Sequence, residues 1–241
     1  MTSNLPANIQ SQVAHDTNQS PLRSLAIICD FDGTITRDDL AVSMLTAYAV
    51  GDWEYWYHQY LDGKMPLEES LKHQFESLRA TKRQLMDYVD TNAKIRPGFG
   101  AFVEFCREKD TQLVIASVGL DFYIKAVLDK AGISHPELVC GRARFGRSRL
   151  RITYPDVNSD GSLQGMDIKE WTVERLRKDF NAVAYIGDGF PDFPAASRCD
   201  AIFARANLAS KCAENNIPYV PFDNFYDVMA GLEKTPVEIG S

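Results

Sequence analysis

Residues 25–34 read Leu-Ala-Ile-Ile-Cys-Asp-Phe-Asp-Gly-Thr. The first half is a short, continuous apolar run, and Asp30, Asp32 and Gly33 follow it at once. Such a run is typical of a strand that is buried on both faces of a parallel sheet. We therefore predict a strand here, with two carboxyl groups just beyond its C-terminal end.

The same pattern recurs along the chain and alternates with segments of helical periodicity. Further apolar runs cover residues 113–116, 183–186, 201–204 and 218–222, and helix-like segments begin at Phe99 and cover residues 121–130 and 167–180. Strands that alternate with helices predict an α/β fold, a doubly wound parallel sheet. Ligands of such sheets bind beyond the carboxyl ends of the strands, where the pattern places Asp30, Ser117 and Asp188.

The distance between the first two strands predicts an insertion. From Asp32 to Leu113 the chain is far longer than the roughly 30 residues of a strand-helix-strand unit. Residues 38–95 contain several helix-like stretches. We expect a catalytic core formed by residues 22–37 and 96–235, a helical cap over residues 38–95, and a flexible polar tail over residues 1–21.

The acidic pair after the first strand suits phosphoryl transfer. Side chains two residues apart on an extended chain point the same way, so Asp30 and Asp32 could share one site. Two close carboxylates repel unless a cation neutralises them or one keeps a proton. One carboxylate could then attack phosphorus while the other, protonated, serves as a general acid.

Other strand ends and one helix add compatible groups. Asp188 and Asp192 supply further carboxylates, the hard oxygen ligands that suit Mg²⁺. Lys169 lies near the start of a predicted helix and offers positive charge. Ser117, with the residues that follow it, offers a hydroxyl and backbone N–H groups for a phosphate.

Taken in order, these motifs resemble those of the haloacid-dehalogenase superfamily, over roughly residues 24–230. Within it the chain is similar to the phosphoserine-phosphatase-like branch, and in that branch to the phosphatases of methionine salvage. The stretches that support this second resemblance cover residues 30–36, 95–99, 119–123, 185–192, 202–208 and 222–226.

The resemblance implies a role for each motif residue. Asp30 would be the nucleophile and Asp32 the general acid and base. Phosphate would be bound by Ser117, Val118, Gly119, Lys169 and Thr34. Mg²⁺, the implied cofactor, would be held at Asp30, Asp32 (through its backbone carbonyl) and Asp188, with Asp192 in support. The implied reaction is hydrolysis of a small phosphorylated metabolite through an aspartyl-phosphate.

Composition agrees with a soluble enzyme. The net charge of -7 and pI of about 5.2 argue against a nucleic-acid partner. The N-terminal segment lacks the basic start and apolar core of a secretory signal, and no apolar run approaches the ~20 residues that cross a bilayer. Five cysteines without a Cys-x-x-Cys pair suggest neither a disulfide framework nor a zinc site. We expect a cytoplasmic protein without a membrane partner, and a homodimer is a candidate assembly.

Several alternatives stay open at this stage. The substrate could be phosphoserine or another small phosphorylated metabolite, and the chain could be a phosphotransferase, a mutase or a non-catalytic binding protein. Arg96 is a candidate substrate contact. The aromatic stretch over residues 53–60 could select the leaving group, form cap core or form an interface. The arginines of residues 142–151 suit the solvated face of a β-hairpin better than a phosphate or nucleic-acid surface.

Overall fold

A computed structural model describes residues 23–134, 136–146, 150–155 and 166–234. The N-terminal tail of the sequence-based prediction therefore lies outside the described residues, as do Arg147 and Arg149. No helix in the described ranges is long and apolar enough to cross a bilayer.

The described strands form one seven-stranded sheet in the order β4-β3-β2-β1-β5-β6-β7. All neighbouring pairs are parallel except β3 and β4, which are antiparallel. The strands are β1 (Arg23–Cys29), β2 (Gln112–Leu120), β3 (Glu137–Phe145), β4 (Leu150–Thr153), β5 (Phe180–Gly187), β6 (Ala201–Ala204) and β7 (Val220–Pro221).

Helices cover both faces of this sheet, as the prediction of a doubly wound α/β fold requires. In chain order they are α1 (Leu40–Tyr48), α2 (Glu54–Leu61), α3 (Leu67–Glu76), α4 (Lys82–Asn92), α5 (Phe99–Glu108), α6 (Asp121–Lys130), α7 (Ile168–Leu176), α8 (Phe193–Ala196), α9 (Ala206–Glu214) and α10 (Phe225–Lys234). The fold class is confirmed.

The alternation of side chains along β1 divides the core into two layers. Ile27 and Cys29 pack with buried side chains of α5, α6 and α10, while Ala26 and Ile28 pack with those of α7, α8 and α9. Asp30 continues the second set by parity, and its amide still donates to the Ile186 carbonyl at 2.9 Å. The Asp30 side chain therefore points toward the layer that contains α7.

Helices α1 to α4 follow the first motif, within the range predicted for the cap. Buried side chains of α1 and α4, with Phe75 of α3, belong to the same apolar cluster as α5, α6 and α10. A single antiparallel bridge between Thr36 and Ile95 joins the two ends of the segment. Residues 38–95 thus leave and re-enter the core at neighbouring points.

Several predicted boundaries differ from the structure, and those of β2 and α7 differ by three or more residues at one end. Strand β2 does not end before Ser117 but runs to Leu120, with a register shift against β3 between these two residues. The helix predicted over residues 167–180 ends at Leu176, because Phe180 already pairs with Arg23 as the first residue of β5. The hairpin expected around the arginine run is present as β3 and β4, where Arg142, Arg144 and Arg151 are exposed.

Candidate active site

Asp30 and Lys169 meet beneath a cavity of about 600 Å³ at the carboxyl end of the sheet. Lys169 Nζ lies 2.8 Å from Asp30 Oδ1 and 2.5 Å from Asp192 Oδ1. The Lys169 side chain is only 2% exposed. Helix α7 positions it there through a capping box, in which the Asp167 carboxylate accepts from the amides of Lys169 and Glu170 at 2.8 and 2.9 Å.

Asp192 is fully enclosed and its carboxylate is saturated with donors. Lys169 and the Tyr185 hydroxyl donate to Oδ1, and the amides of Asp188 and Gly189 donate to Oδ2 at 3.0 and 2.8 Å. A carboxylate in this state has little capacity left for a ligand. Asp192 therefore fixes the Asp188 loop and the lysine.

Asp188 approaches Asp30 from the end of β5. The carboxylates of Asp30, Asp188 and Asp192 offer oxygen atoms within 4.8 Å of one another. Burial, and then the charge of Asp192, raise the pKa of Asp188 to about 6. Burial first, followed by the charge of Asp192, also raises the pKa of Asp30 well above its usual range, against the lowering effect of Lys169.

This cluster fits a hard divalent cation. Three neighbouring carboxylates face the single ammonium of Lys169, so negative charge is in excess, and all the ligand atoms are oxygens. Because Asp192 is saturated by its own donors, Asp30 and Asp188 are the side chains that would hold Mg²⁺.

The turn over Phe31–Ile35 brings the second carboxyl group to the cavity. Gly33 has a φ of +77°, and a Cβ there would lie 2.4 Å from Asp188 Oδ2, so both the backbone and the close approach require glycine. Asp32 lines the same cavity as Asp30. Burial first, then the charge of Asp39, raise the pKa of Asp32 to about 8. A carboxyl group of this kind keeps its proton at neutral pH and can act as an acid.

The structure brings most of the predicted site residues to this cavity. Its walls include Asp30, Asp32, Ser117, Val118, Gly119, Lys169, Asp188 and Asp192. Thr34 was predicted to bind phosphate, but it does not belong to the described cavity lining, and its buried hydroxyl donates to Asp188 Oδ1 at 2.6 Å. The Asp32 carboxylate lies outside the group of three that could hold a metal.

Arg96 lies behind the site and not in it. Its guanidinium is buried and donates to the carbonyls of Thr34 at 2.8 Å, Gly33 at 2.7 Å and Asp223 at 3.2 Å. These bonds anchor the turn. They do not support the hypothesis that Arg96 contacts substrate.

Two residues that contact the first motif were not predicted from the sequence. The Tyr123 hydroxyl donates to Asp32 Oδ2, and the Arg205 guanidinium donates to the Gly33 carbonyl at 2.9 Å. Both belong to stretches that carry the resemblance to the methionine-salvage phosphatases, but nothing in their spacing pointed to the first motif.

The sequence model of the family described as "haloacid dehalogenase-like hydrolase" matches residues 27–197. The chain belongs to this family.

Two relatives indicate which type of hydrolase the chain resembles. A protein from Brevibacillus brevis named 2-hydroxy-3-keto-5-methylthiopentenyl-1-phosphate phosphatase is 33% identical over 222 residues, which are 90% of this chain and 99% of that protein. A protein of the same name from Geobacillus thermodenitrificans is 32% identical over 218 residues, covering 89% and 98%. Family and relatives together make the chain a hydrolase of the phosphatase type.

Solved structures agree on the fold. A structure titled phospho-aspartyl intermediate analogue of phosphoserine phosphatase has a TM-score of 0.64 at 13% identity, covering 87% of this chain and 99% of its own. A HAD family hydrolase from Salmonella enterica serovar Typhi has a TM-score of 0.66 at 18% identity, covering 90% and 74%.

Proposed function

We propose that the chain is a Mg²⁺-dependent phosphomonoesterase that forms an aspartyl-phosphate on Asp30. The observation that carries this proposal is the placement of Asp30 at the floor of a cavity, with one oxygen held by a buried lysine. Lys169 fixes Oδ1, and we assign the attack on phosphorus to Oδ2. Such in-line attack needs positioning and charge neutralisation more than any other contribution.

Each residue of this chain has a defined part in the proposed reaction. Asp30 and Asp188 would hold Mg²⁺, which when bound supplies positive charge to the phosphoryl oxygens. Asp32 gives its proton to the leaving oxygen as the P–O bond breaks, and then takes a proton from the water that hydrolyses the aspartyl-phosphate. Ser117 and the backbone at Val118 and Gly119 contact the phosphoryl group.

We further propose that residues 38–95 act as a cap over this reaction. Side chains from the α1–α3 region line the same cavity as the motif residues. Opening would admit substrate, and closure would exclude water, which strengthens the electrostatic interactions inside.

The substrate that we propose is 2-hydroxy-3-keto-5-methylthiopentenyl-1-phosphate. The relatives that bear this name support it, and so does the chemistry of the cavity wall. Apart from its phosphate, this molecule carries no charged group and ends in an apolar methylthio group. The cap side of the described wall has an apolar and aromatic part, formed by Ala41, Val42, Leu45, Trp53, Tyr57, Leu67 and Leu71, and a polar part, formed by Asp39, Glu54, His58 and Gln74. The apolar part suits the methylthio group.

Charge in the same wall disfavours phosphoserine. Lys169 is the one lysine or arginine among the described lining residues, and it is already paired with two carboxylates. The ammonium of phosphoserine could pair with Asp39 or Glu54, but its carboxylate would find no lysine or arginine that is free to pair with it. A buried charge without a partner is strongly unfavourable.

A substrate panel with the full chain tests both levels of the proposal. We expect hydrolysis of the methionine-salvage enol phosphate at a kcat/KM at least about tenfold above that of phosphoserine, phosphoethanolamine or thiamine phosphate. Chelation of Mg²⁺ should abolish turnover. A higher kcat/KM for phosphoserine would overturn the substrate, and Mg²⁺-independent turnover would overturn the cofactor.

The nucleophile is tested by Asp30→Asn, with Asp62→Asn as its matched control. Asp62 is an exposed aspartate that pairs with Lys64 at the surface. Asp30→Asn should reduce turnover below detection and accumulate no phosphoenzyme, while Asp62→Asn should behave as the wild type. Near-normal activity of Asp30→Asn would refute the assignment.

A further inference from the structure

Tyr123 contacts the proposed acid directly. It lies in the first turn of α6, is completely enclosed, and donates its hydroxyl hydrogen bond to Asp32 Oδ2. The other oxygen of Asp32 accepts from the Leu40 amide at 3.1 Å. One donor on each oxygen fixes the rotation of the carboxyl group, and each oxygen keeps a second lone pair at which a proton can sit.

The surroundings hold the tyrosine in place. Its ring packs against Phe31 and Phe122, with centroids 6.0 and 5.4 Å away. Gly119 makes room for the contact, because a Cβ at that position would lie 1.9 Å from the Tyr123 hydroxyl and 2.8 Å from Asp32 Oδ2. The hydroxyl therefore reaches Asp32 through a gap that only glycine leaves open.

We propose that Tyr123 is a positioning residue for general acid catalysis, which orients the carboxyl group of Asp32 toward the leaving oxygen. This inference rests on the proposed function, in which Asp32 is the acid. As Asp30 bonds to phosphorus and the P–O bond to the leaving group breaks, the proton passes from Asp32 to the leaving oxygen. Tyr123 keeps its own proton and continues to donate to Oδ2.

Leaving-group dependence separates this role from a structural one. A phenolate such as that of p-nitrophenyl phosphate departs with little need of a proton, whereas the alkoxide of benzyl phosphate needs one. We expect Tyr123→Phe to lower kcat/KM about 10–100-fold for benzyl phosphate and by less than about threefold for p-nitrophenyl phosphate. A mere loss of folded protein would lower both kcat/KM values by the same factor.

Asp32→Asn measured in parallel distinguishes the two levels of the argument. If Asp32→Asn selectively lowers kcat/KM for benzyl phosphate and Tyr123→Phe does not, the proposed role of Tyr123 is overturned, while the assignment of Asp32 as the acid stands. If Asp32→Asn affects both substrates equally, the assignment of Asp32 as the acid fails, and the role of Tyr123 fails with it. Selective loss in both variants supports the proposal.

Two further variants complete the experiment. Tyr154→Phe is the matched control, because the Tyr154 hydroxyl donates to the Val118 carbonyl at 2.6 Å and not to a carboxyl group. Tyr154→Phe should change kcat/KM by the same factor for both substrates. Gly119→Ala keeps the tyrosine but pushes its hydroxyl away, and should reproduce the selective loss for benzyl phosphate. If Gly119→Ala and Tyr123→Phe each lowered kcat/KM by the same factor for benzyl phosphate and for p-nitrophenyl phosphate, the proposal would be overturned.

Discussion

Lys169 illustrates how a buried charge is tolerated when its partners are in place. Its ammonium has two carboxylate neighbours, and all three side chains are at least about nine-tenths enclosed. The pair of carboxylates could not be buried together without it, because like charges in a poorly solvated site repel strongly. The lysine is therefore part of the fold as well as of the proposed chemistry.

Lys169→Met should destabilise the protein in a pH-dependent way. Removing one partner of a buried ion pair costs about 3–5 kcal/mol. The pKa of Asp30 already lies above its usual range in the folded state, and loss of the ammonium would raise it further. A folded-state pKa above the unfolded value means that the folded protein binds more protons, so stability falls as pH rises.

Urea unfolding at pH 5.5 and pH 8 measures this effect. We expect the loss in the free energy of unfolding for Lys169→Met to be larger at pH 8 than at pH 5.5. Lys64→Met is the control, since Lys64 pairs with Asp62 in an exposed position. An equal loss at both pH values would contradict the account of the buried carboxylates.

Individual site residues differed in how well the sequence predicted them. Asp30, Lys169 and Asp188 were placed together correctly, because each follows from the end of a strand or the start of a helix in a fixed fold class. The contacts of Tyr123 and Thr34 were not predicted, because each depends on which carboxylate oxygen the hydroxyl group reaches across the site. Such contacts depend on the path of the turn after β1, and a shift of about an ångström would break them. The periodicity of a sequence does not determine positions to that precision.

At the level of elements, the turn after β1 depends on contacts from distant segments. Arg96 donates to the carbonyls of Gly33 and Thr34, and Arg205 also donates to the Gly33 carbonyl. Two arginines, one shortly before α5 and one directly after β6, thereby donate to carbonyl groups of the turn. A planar guanidinium can reach several acceptors at once, which a lysine cannot.

Arg96→Lys should therefore be costly although it preserves the charge. We expect a loss of about 2–4 kcal/mol in the free energy of unfolding, since several buried carbonyls lose their donor. Thermal or urea unfolding measures it, and Arg83→Lys, in an exposed pair with Asp87, serves as the control. A loss below about 0.5 kcal/mol would show that the turn does not need this anchor.

The middle of each predicted element was correct, and the errors lie at the ends of some of them. Helix α6 and strand β6 match their predicted bounds, whereas α7 ends earlier and β2 runs further than predicted. Both errors have the same cause. The sheet determines where a strand begins and ends, since Phe180 pairs with Arg23 and Leu120 pairs with Gly141, and such pairing does not follow from local periodicity.

Across the whole molecule, the order of motifs along the chain explains why the fold class could be predicted. A parallel sheet brings the carboxyl ends of β1 and β5 to one edge, so residues far apart in sequence converge there. The excess negative charge at that edge is a property of the assembled chain. It also links the stability of the entire protein to the cation that we propose.

Mg²⁺ should stabilise the folded protein, and more so at higher pH. Burial raises the pKa of Asp188 from 3.8 to about 6, so the metal-free protein binds an extra proton at pH 5 and loses stability as the pH rises through 6. A cation that binds the ionised cluster offsets this loss and competes with the proton. At about a hundredfold excess over Kd the gain is about 2.7 kcal/mol, or roughly 5–10 °C in Tm for a chain of this size.

Differential scanning calorimetry with Mg²⁺ and with EDTA, at pH 5 and pH 7.5, measures this linkage without reference to activity. We expect the rise in Tm with Mg²⁺ to be larger at pH 7.5. Asp188→Asn should lose most of that rise, because it removes an ionised ligand. Asp200→Asn, at an exposed carboxylate that pairs with Arg177, should retain it. A rise that is equal at both pH values, or that persists in Asp188→Asn, would mean that the cation binds elsewhere, since protons and Mg²⁺ would then not compete for Asp188.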